Sequence, residues 1–131
     1  MIIEYIALAE KVGNGYTVFI PDFPGFGSAG KTLELARKNT REGLIAHIEL
    51  MIEAQESIPQ PTSLDSVMKL KDAKGCIPLF IAIVSPSGKA HRVNITIDSA
   101  LLNAIDHVAQ SQHKSRSALL SEAARRLLGD M

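Results

Sequence analysis

Polar and apolar residues alternate strictly between residues 92 and 97, at the start of the last third of the chain. One set of alternate positions is polar and the other is β-branched and apolar: Arg92, Asn94 and Thr96 against Val93, Ile95 and Ile97. A period of two places the two sets on opposite faces of a β-strand. The pattern therefore predicts a strand with one apolar face and one polar face.

Helical spacing replaces the alternation after this strand. Asp98 or Ser99 can cap a first helix, and Ser115 can cap a second one after a break at His113 and Lys114. The first helix carries the apolar positions Leu101, Leu102, Ile105, Val108 and Ala109, and the second carries Leu119, Leu120, Ala123, Ala124, Leu127 and Leu128. Gly129 stands where the second helix would end. The tail is thus predicted to be strand-helix-helix.

A strand without a partner and two short helices bury too little surface to be stable alone. A two-fold dimer solves this, because two antiparallel strands can pack Val93, Ile95 and Ile97 on four helices as a dimer core. The other face of that two-stranded ribbon would show each polar residue twice, in a shape that fits the major groove of DNA. The alternative is an ordinary core element whose polar residues face water.

The N-terminal pattern indicates mixed α and β structure. Strands are predicted over residues 2–10 and 16–20, joined by a turn at Gly13-Asn14-Gly15, with a short third strand within residues 26–30. Thr32 can cap a long helix that runs to about Ala54, and residues 79–85 form an apolar run typical of a buried strand. A short helix is expected over residues 64–70. The long helix has apolar positions Ala36, Thr40, Leu44, Ile48, Met51 and Ile52, with Arg37, Lys38, Arg41, Glu42, Glu49 and Glu53 expected on the solvent side.

Composition adds limits to this picture. The chain has 14 Lys and Arg against 14 Asp and Glu, so its net charge gives no general attraction for nucleic acid. Residues 1–89 carry 9 basic against 10 acidic residues, and residues 90–131 carry 5 against 4. The single cysteine, Cys76, excludes an internal disulfide framework and fits a reducing compartment. No stretch has the length of a membrane span, so we expect a cytoplasmic protein with no membrane partner.

Catalytic, metal and cofactor sites are not supported by spacing. Residues 25–30 match G-x-G-x-x-G, but a hairpin precedes them and the helix cap comes later, which favours a packed glycine-rich loop. The four histidines are scattered, and the apolar run at residues 79–85 carries no acid for a two-metal site. We therefore expect no enzyme, no metal and no cofactor, with a metal-dependent RNA-processing enzyme as a third hypothesis.

The tail, over roughly residues 90–129, resembles the ribbon-helix-helix family of DNA-binding domains. The resemblance rests on the alternating strand, the capped first helix, the short break and the sequence Lys114-Ser115-Arg116-Ser117 that opens the second helix. It implies that Arg92, Asn94 and Thr96 contact bases. It also implies that Ser115, Arg116 and Ser117 hold a phosphate at the start of the second helix.

Residues 1–85 resemble the HicB family of antitoxins. The matching pieces are Tyr16–Ile20, Pro21-Asp22-Phe23-Pro24-Gly25, Gly30–Ala36 and Ile58-Pro59-Gln60-Pro61-Thr62. The resemblance implies a truncated RNase H-like fold that binds a HicA-like, mRNA-cleaving toxin. Asp22, Phe23 and Phe26 are the candidate toxin contacts, because exposed aromatic residues on a loop suit an interface. Lys31 stands where the family commonly has an acidic residue.

Together these patterns predict an α+β protein with a toxin-binding domain at residues 1–85, a linker at 86–90 and a DNA-binding, dimerising ribbon-helix-helix domain at 91–131. The predicted function is that of an antitoxin that neutralises its toxin and represses its own operon by binding operator double-stranded DNA. The predicted assembly is a homodimer, with a tetramer left open. The second hypothesis is a stand-alone transcription regulator whose N-terminal domain senses a small ligand.

Overall fold

The computed structural model describes residues 2–84 and 90–129. The chain divides into two compact units, Met1–Pro86 and Ser87–Met131. The predicted linker at 86–90 lies outside the described residues except for Ala90. The first unit combines a four-stranded sheet with helices and the described part of the second unit adds two helices, which confirms the α+β class.

The first unit is a four-stranded antiparallel sheet packed on a long helix. Its strands are β1 (Ile2–Val12), β2 (Gly15–Phe19), β3 (Gly27–Gly30) and β4 (Ile77–Val84), and its helices are α1 (Leu33–Glu53) and α2 (Leu64–Met68), followed by a 3₁₀ turn at Lys71–Ala73. The strand order is β3-β2-β1-β4. The predicted hairpin is confirmed, with Leu8 opposite Phe19 and Val12 opposite Gly15.

Helix α1 begins and ends where the sequence predicts. The hydroxyl of Thr32 accepts a hydrogen bond from the backbone N–H of Leu35, at 3.1 Å, and Ala54 is the C-cap. The predicted apolar stripe meets one face of the sheet, where the main core contains Tyr5, Ala7, Ala9, Val18, Ile20, Phe23, Ala36, Leu44, Ile48, Leu79, Ile81 and Ile83. The other sheet face is partly covered by α2 and the 3₁₀ turn, over Ile6 and Leu8.

Two details of the predicted burial are wrong. Arg41, expected in solvent, is only 5% exposed, because it precedes Leu44 and Ile48 by three and seven residues and so shares their stripe. The strand expected to be buried, β4, lies at the edge of the described sheet, where it pairs with β1. Burial along β4 therefore alternates, and Phe80 is 45% exposed beside the buried Ile81.

Close packing explains a glycine at the end of β3. A Cβ atom on Gly30 would lie 2.4 Å from the backbone nitrogen of Ala36, in the first turn of α1. We expect Gly30→Ala to lower the free energy of unfolding by about 1–3 kcal/mol, since backbone must move to make room. Urea denaturation checks this. Gly27→Ala in the same strand is the control, because its Cβ would meet the Val18 carbonyl oxygen at 3.7 Å; equal losses in both variants would contradict the packing argument.

Candidate functional site

The segment that precedes the tail helices exposes its apolar side chains. In the single chain, residues 90–98 form no regular secondary structure. Val93 is 72% exposed and Ile95 is 65% exposed, whereas Ile97 is half-buried. The polar residues of the alternating pattern, Arg92, Asn94 and Thr96, are also exposed. Both sets are therefore open to a partner, and the predicted strand stays a prediction.

The two predicted tail helices are present as α3 (Ser99–Ser111) and α4 (Arg116–Gly129). Asp98 caps α3, its carboxylate accepting from the backbone N–H of Leu101 at 3.1 Å. The predicted break is confirmed, and His113 there has a positive φ of 56°. On the apolar side of α3 only Ala109 is fully buried, while Leu101 and Val108 remain exposed. The tail thus keeps uncovered apolar surface on α3 as well as on residues 93–95.

The residues predicted to hold a phosphate lie together at the start of α4. The Ser115 hydroxyl accepts a hydrogen bond from the backbone N–H of Ala118, at 3.0 Å, and so caps this helix. The backbone N–H groups of Arg116 and Ser117 precede the first intrahelical hydrogen bonds, as in any helix. These groups point out of the helix end, where its dipole favours an anion.

The Arg116 side chain is engaged inside the tail. Its guanidinium donates from Nε to Oδ1 of Asp106 and from Nη2 to Oδ2, each at 2.8 Å. The hydrogen bond from Arg116 is the main cause that lowers the pKa of the Asp106 carboxyl, and it raises the pKa of Arg116. Sequence reasoning missed this bridge, because its partners are ten residues apart on different helices.

A second acid, Glu122, forms ion pairs with two further basic residues of the tail. Lys114 donates to Oε2 of Glu122, and Arg126 donates to Oε1 at 2.8 Å. The hydrogen bond from Lys114 is the main cause of the lowered pKa of Glu122. Around the start of α4 the basic side chains are thus matched with carboxylates of the same unit.

The candidate toxin contacts of the first unit are less exposed than the sequence suggested. Phe23 is 2% exposed and belongs to the core, with its ring edge-on to Tyr5 at a centroid distance of 4.8 Å. The Phe26 ring is half-buried and lies 5.5 Å from the ring of His47. The expectation of exposed aromatic residues is wrong for Phe23, because the turn from Ile20 to Phe23 directs that ring inward.

Asp22 fastens this loop to a distant segment. Its carboxylate accepts hydrogen bonds from the backbone N–H of Thr62, at 3.0 Å, and from the Thr62 hydroxyl, at 2.5 Å. The Tyr5 hydroxyl donates to the carbonyl of Pro59 at 2.7 Å. The loop after β2 and the proline-rich connection after α1 therefore form one fixed surface. Sequence reasoning had no signal for these contacts, which span 40 and 54 residues.

Removing the Tyr5 hydroxyl should weaken this surface. We expect Tyr5→Phe to lower the free energy of unfolding by about 1 kcal/mol, the usual contribution of one such hydrogen bond. Burial, and then the charge of Asp22, raise the pKa of Tyr5 above its ordinary 10.0. The stabilisation is therefore complete below pH 10 and is lost as pH rises through the higher folded-state pKa. Urea titrations at pH 8 and pH 11 measure both effects.

The half-buried Tyr16, changed to Phe, is the control for that experiment. The stability gap between wild type and Tyr5→Phe should shrink at pH 11, and Tyr16→Phe measured at the same two pH values shows the effect of removing a different tyrosine hydroxyl. A constant gap for Tyr5→Phe would contradict the role given to its hydroxyl.

A groove of about 960 Å³ lies beside the tip of the β1–β2 hairpin. Its wall combines the exposed apolar residues Val12 and Leu35 with Lys31 and Asn39, whose amide donates to the Ala29 carbonyl at 2.9 Å. This groove has room for a small molecule.

Neither a metal-binding cluster nor a membrane-spanning helix is present in the part of the chain that the structure describes. Among residues 2–84 and 90–129, no three His, Cys, Asp or Glu side chains are grouped so that they could hold a metal ion. Within the same ranges, no helix combines the length and the apolar character needed to cross a membrane.

Comparison with known proteins identifies the family. A family model described as HicB_like antitoxin of bacterial toxin-antitoxin system matches residues 5–124. A protein of Haemophilus phage HP1 (strain HP1c1), called an uncharacterized 14.9 kDa protein in the rep-hol intergenic region, is 36% identical over 129 residues, which are 95% of this chain and 97% of that protein.

Solved structures agree with this match. The crystal structure of the Burkholderia pseudomallei antitoxin HicB is 29% identical, with a TM-score of 0.62 over 96% of this chain and 98% of that one. A chain of the HicA3 and HicB3 toxin-antitoxin complex is 26% identical, with a TM-score of 0.54 over 60% of this chain and 94% of that one. The chain belongs to the HicB-like antitoxin family of bacterial toxin–antitoxin systems.

Proposed function

We propose that this protein neutralises a HicA-like, mRNA-cleaving toxin through its first unit and represses its own operon through its tail. The toxin partner is supported by the HicA3 and HicB3 complex, whose similar chain matches 60% of this one. The two activities belong to different units, so each can be tested by itself.

The exposure of Val93 and Ile95 carries the DNA-binding half of the proposal. Two exposed β-branched side chains, two positions apart, are costly for a single chain and are covered when two copies pair as antiparallel strands. Pairing turns Arg92, Asn94 and Thr96 of both copies to one face. Arginine can read guanine, asparagine can read adenine, and threonine can meet either kind of base edge in the major groove.

A phosphate would then bind at the start of α4. The backbone N–H groups of Arg116 and Ser117 supply the donors there, and the Ser115 cap holds them in place. The guanidinium of Arg116, the third predicted phosphate contact, binds Asp106 in the single chain and would have to exchange that partner to reach a phosphate.

For the toxin, we propose the fixed surface that joins the loop after β2 to the proline-rich connection. Pro24, Gly25 and Pro61 are exposed on it, and Phe26 offers a half-buried ring. Asp22 and Phe23 hold this surface in place, Asp22 through its hydrogen bonds to Thr62 and Phe23 through its packing in the core. A surface that is already rigid loses little entropy on binding, which favours a tight complex.

A second candidate is a ligand-sensing regulator, which the groove at the hairpin tip would serve. Such a regulator would bind DNA without a protein partner and would change its DNA affinity on addition of a metabolite.

A mobility-shift assay with the promoter of its own operon, combined with sedimentation, tests the DNA-binding half. We expect a dimer in solution and a shifted complex that survives competition with random-sequence duplex. A monomer, or equal competition by random and promoter DNA, would contradict the ribbon.

A further inference from the structure

Carboxylates of the tail occupy the basic side chains nearest its proposed phosphate site. Asp106 on α3 binds the Arg116 guanidinium through two parallel hydrogen bonds of 2.8 Å. Glu122 on α4 binds Lys114 and Arg126. Lys114, Arg116 and Arg126 are therefore in ion pairs with acids of their own unit.

Stability is a weak reason for these pairs. The side chains of Arg116 and Asp106 are 54% and 42% exposed, and exposed ion pairs contribute little to folding. The geometry of this pair suggests another role. The Asp106 carboxylate spans Nε and Nη2 of Arg116, which are the donors with which an arginine binds a phosphate through two hydrogen bonds. Asp106 and a DNA phosphate would thus compete for the same donors.

We propose that Asp106 and Glu122 compete with DNA phosphates for the basic side chains of the tail and so reduce its non-specific affinity for DNA. The inference rests on the proposed binding of operator DNA and concerns its specificity. Non-specific affinity comes almost wholly from phosphates neutralised by Lys and Arg. With its cations occupied, the tail must obtain most of its affinity from base contacts of the ribbon, together with the backbone N–H groups at α4.

This arrangement accounts for a DNA-binding unit with almost no net charge. A regulator searches among a great excess of non-specific sites, so the ratio of specific to non-specific affinity matters more than either alone. Carboxylates that pair with Lys114, Arg116 and Arg126 lower the affinity for non-specific DNA. They do not change the base contacts proposed for Arg92.

Salt-dependent binding of Asp106→Asn to a random-sequence 30-base-pair duplex tests the proposal. The full-length dimer would be titrated by fluorescence anisotropy between 50 and 200 mM salt. The substitution releases one arginine in each protomer, so the dimer can make two more phosphate contacts. Each contact adds about 0.9 to the slope of log affinity against log salt, so the slope should steepen by about two. The loss of affinity between the two salt concentrations should then be roughly tenfold greater than in wild type.

Matched variants separate the released cation from a change in overall charge. Glu56→Gln removes one negative charge from the first unit and should keep the wild-type slope. Adding Arg116→Met to Asp106→Asn should remove the extra slope, because the released guanidinium is then absent. Glu122→Gln, which removes the acid that binds Lys114, supplies an independent test should circular dichroism show that Asp106→Asn is unfolded.

The outcomes are distinct. Steeper slopes in Asp106→Asn and Glu122→Gln support the inference. If both variants are folded dimers that still bind the promoter of their own operon, unchanged slopes overturn this inference and leave the proposed DNA binding intact. Failure of the wild type to bind that promoter rejects the proposed DNA binding, and this inference with it.

Discussion

Replacing Ile95 with lysine is expected to convert the protein to a monomer and to abolish operator binding. In the proposed ribbon each dimer would bury two lysine side chains against apolar neighbours. Removing an unpaired ammonium from water costs on the order of several kcal/mol for each ion, which exceeds what a small interface can offset. Sedimentation equilibrium measures the association, and a mobility shift measures the operator complex.

The neighbouring residue provides a control of matched chemistry. Thr96→Lys introduces the same side chain one position later, on the opposite face of the predicted strand, where it reaches solvent. This variant should remain dimeric. A dimer that survives Ile95→Lys, or one that Thr96→Lys disrupts equally, would contradict the assignment of faces.

The second large effect is expected from Asn94→Ala. Loss of a paired contact to adenine should cost roughly 1–3 kcal/mol at each half-site, which lowers operator affinity by about 5-fold to 150-fold for each of the two half-sites. The dimer and its affinity for random DNA should not change, since Asn94 lies on the polar set of positions. Asn103→Ala, an exposed asparagine on α3, is the control. An operator affinity that is unchanged in Asn94→Ala would exclude the proposed reading of bases.

Local sequence signals predicted most of the elements. The caps at Thr32 and Ser115 lie where the pattern placed them, because a cap depends on a hydroxyl and a backbone N–H three residues away. The hairpin and the turn at Gly13 are equally local. Bounds differed by a few residues, as β1 extends to Val12 and β4 begins at Ile77.

Contacts between distant residues were not predictable in this way. The pattern around Phe23 contains aromatic, proline and glycine residues that are typical of an exposed loop, yet the ring packs against Tyr5. Asp22 was a candidate toxin contact on a loop, and its carboxylate binds Thr62, 40 positions later. Whether an edge strand is exposed on one face depends on the strand order, which no single stretch specifies.

The tail illustrates the same limit at the candidate site. Arg116 opens α4 as predicted, and its sequence position alone suited a phosphate contact. Asp106 lies a whole turn before the end of α3, and only the fold of the two helices brings its carboxylate to the guanidinium. The residue types at the start of α4 therefore indicated a phosphate site, whereas the ion pair between Arg116 and Asp106 could be found only in the structure.

Co-expression with the neighbouring gene shows whether this protein neutralises a toxin. The small reading frame beside this gene would be induced in cells with and without the full-length protein, with growth and co-purification as the readouts. We expect the neighbouring product to arrest growth, this protein to restore growth, and the two proteins to purify as one complex. A toxic neighbour that neither binds this protein nor is relieved by it would contradict the antitoxin function.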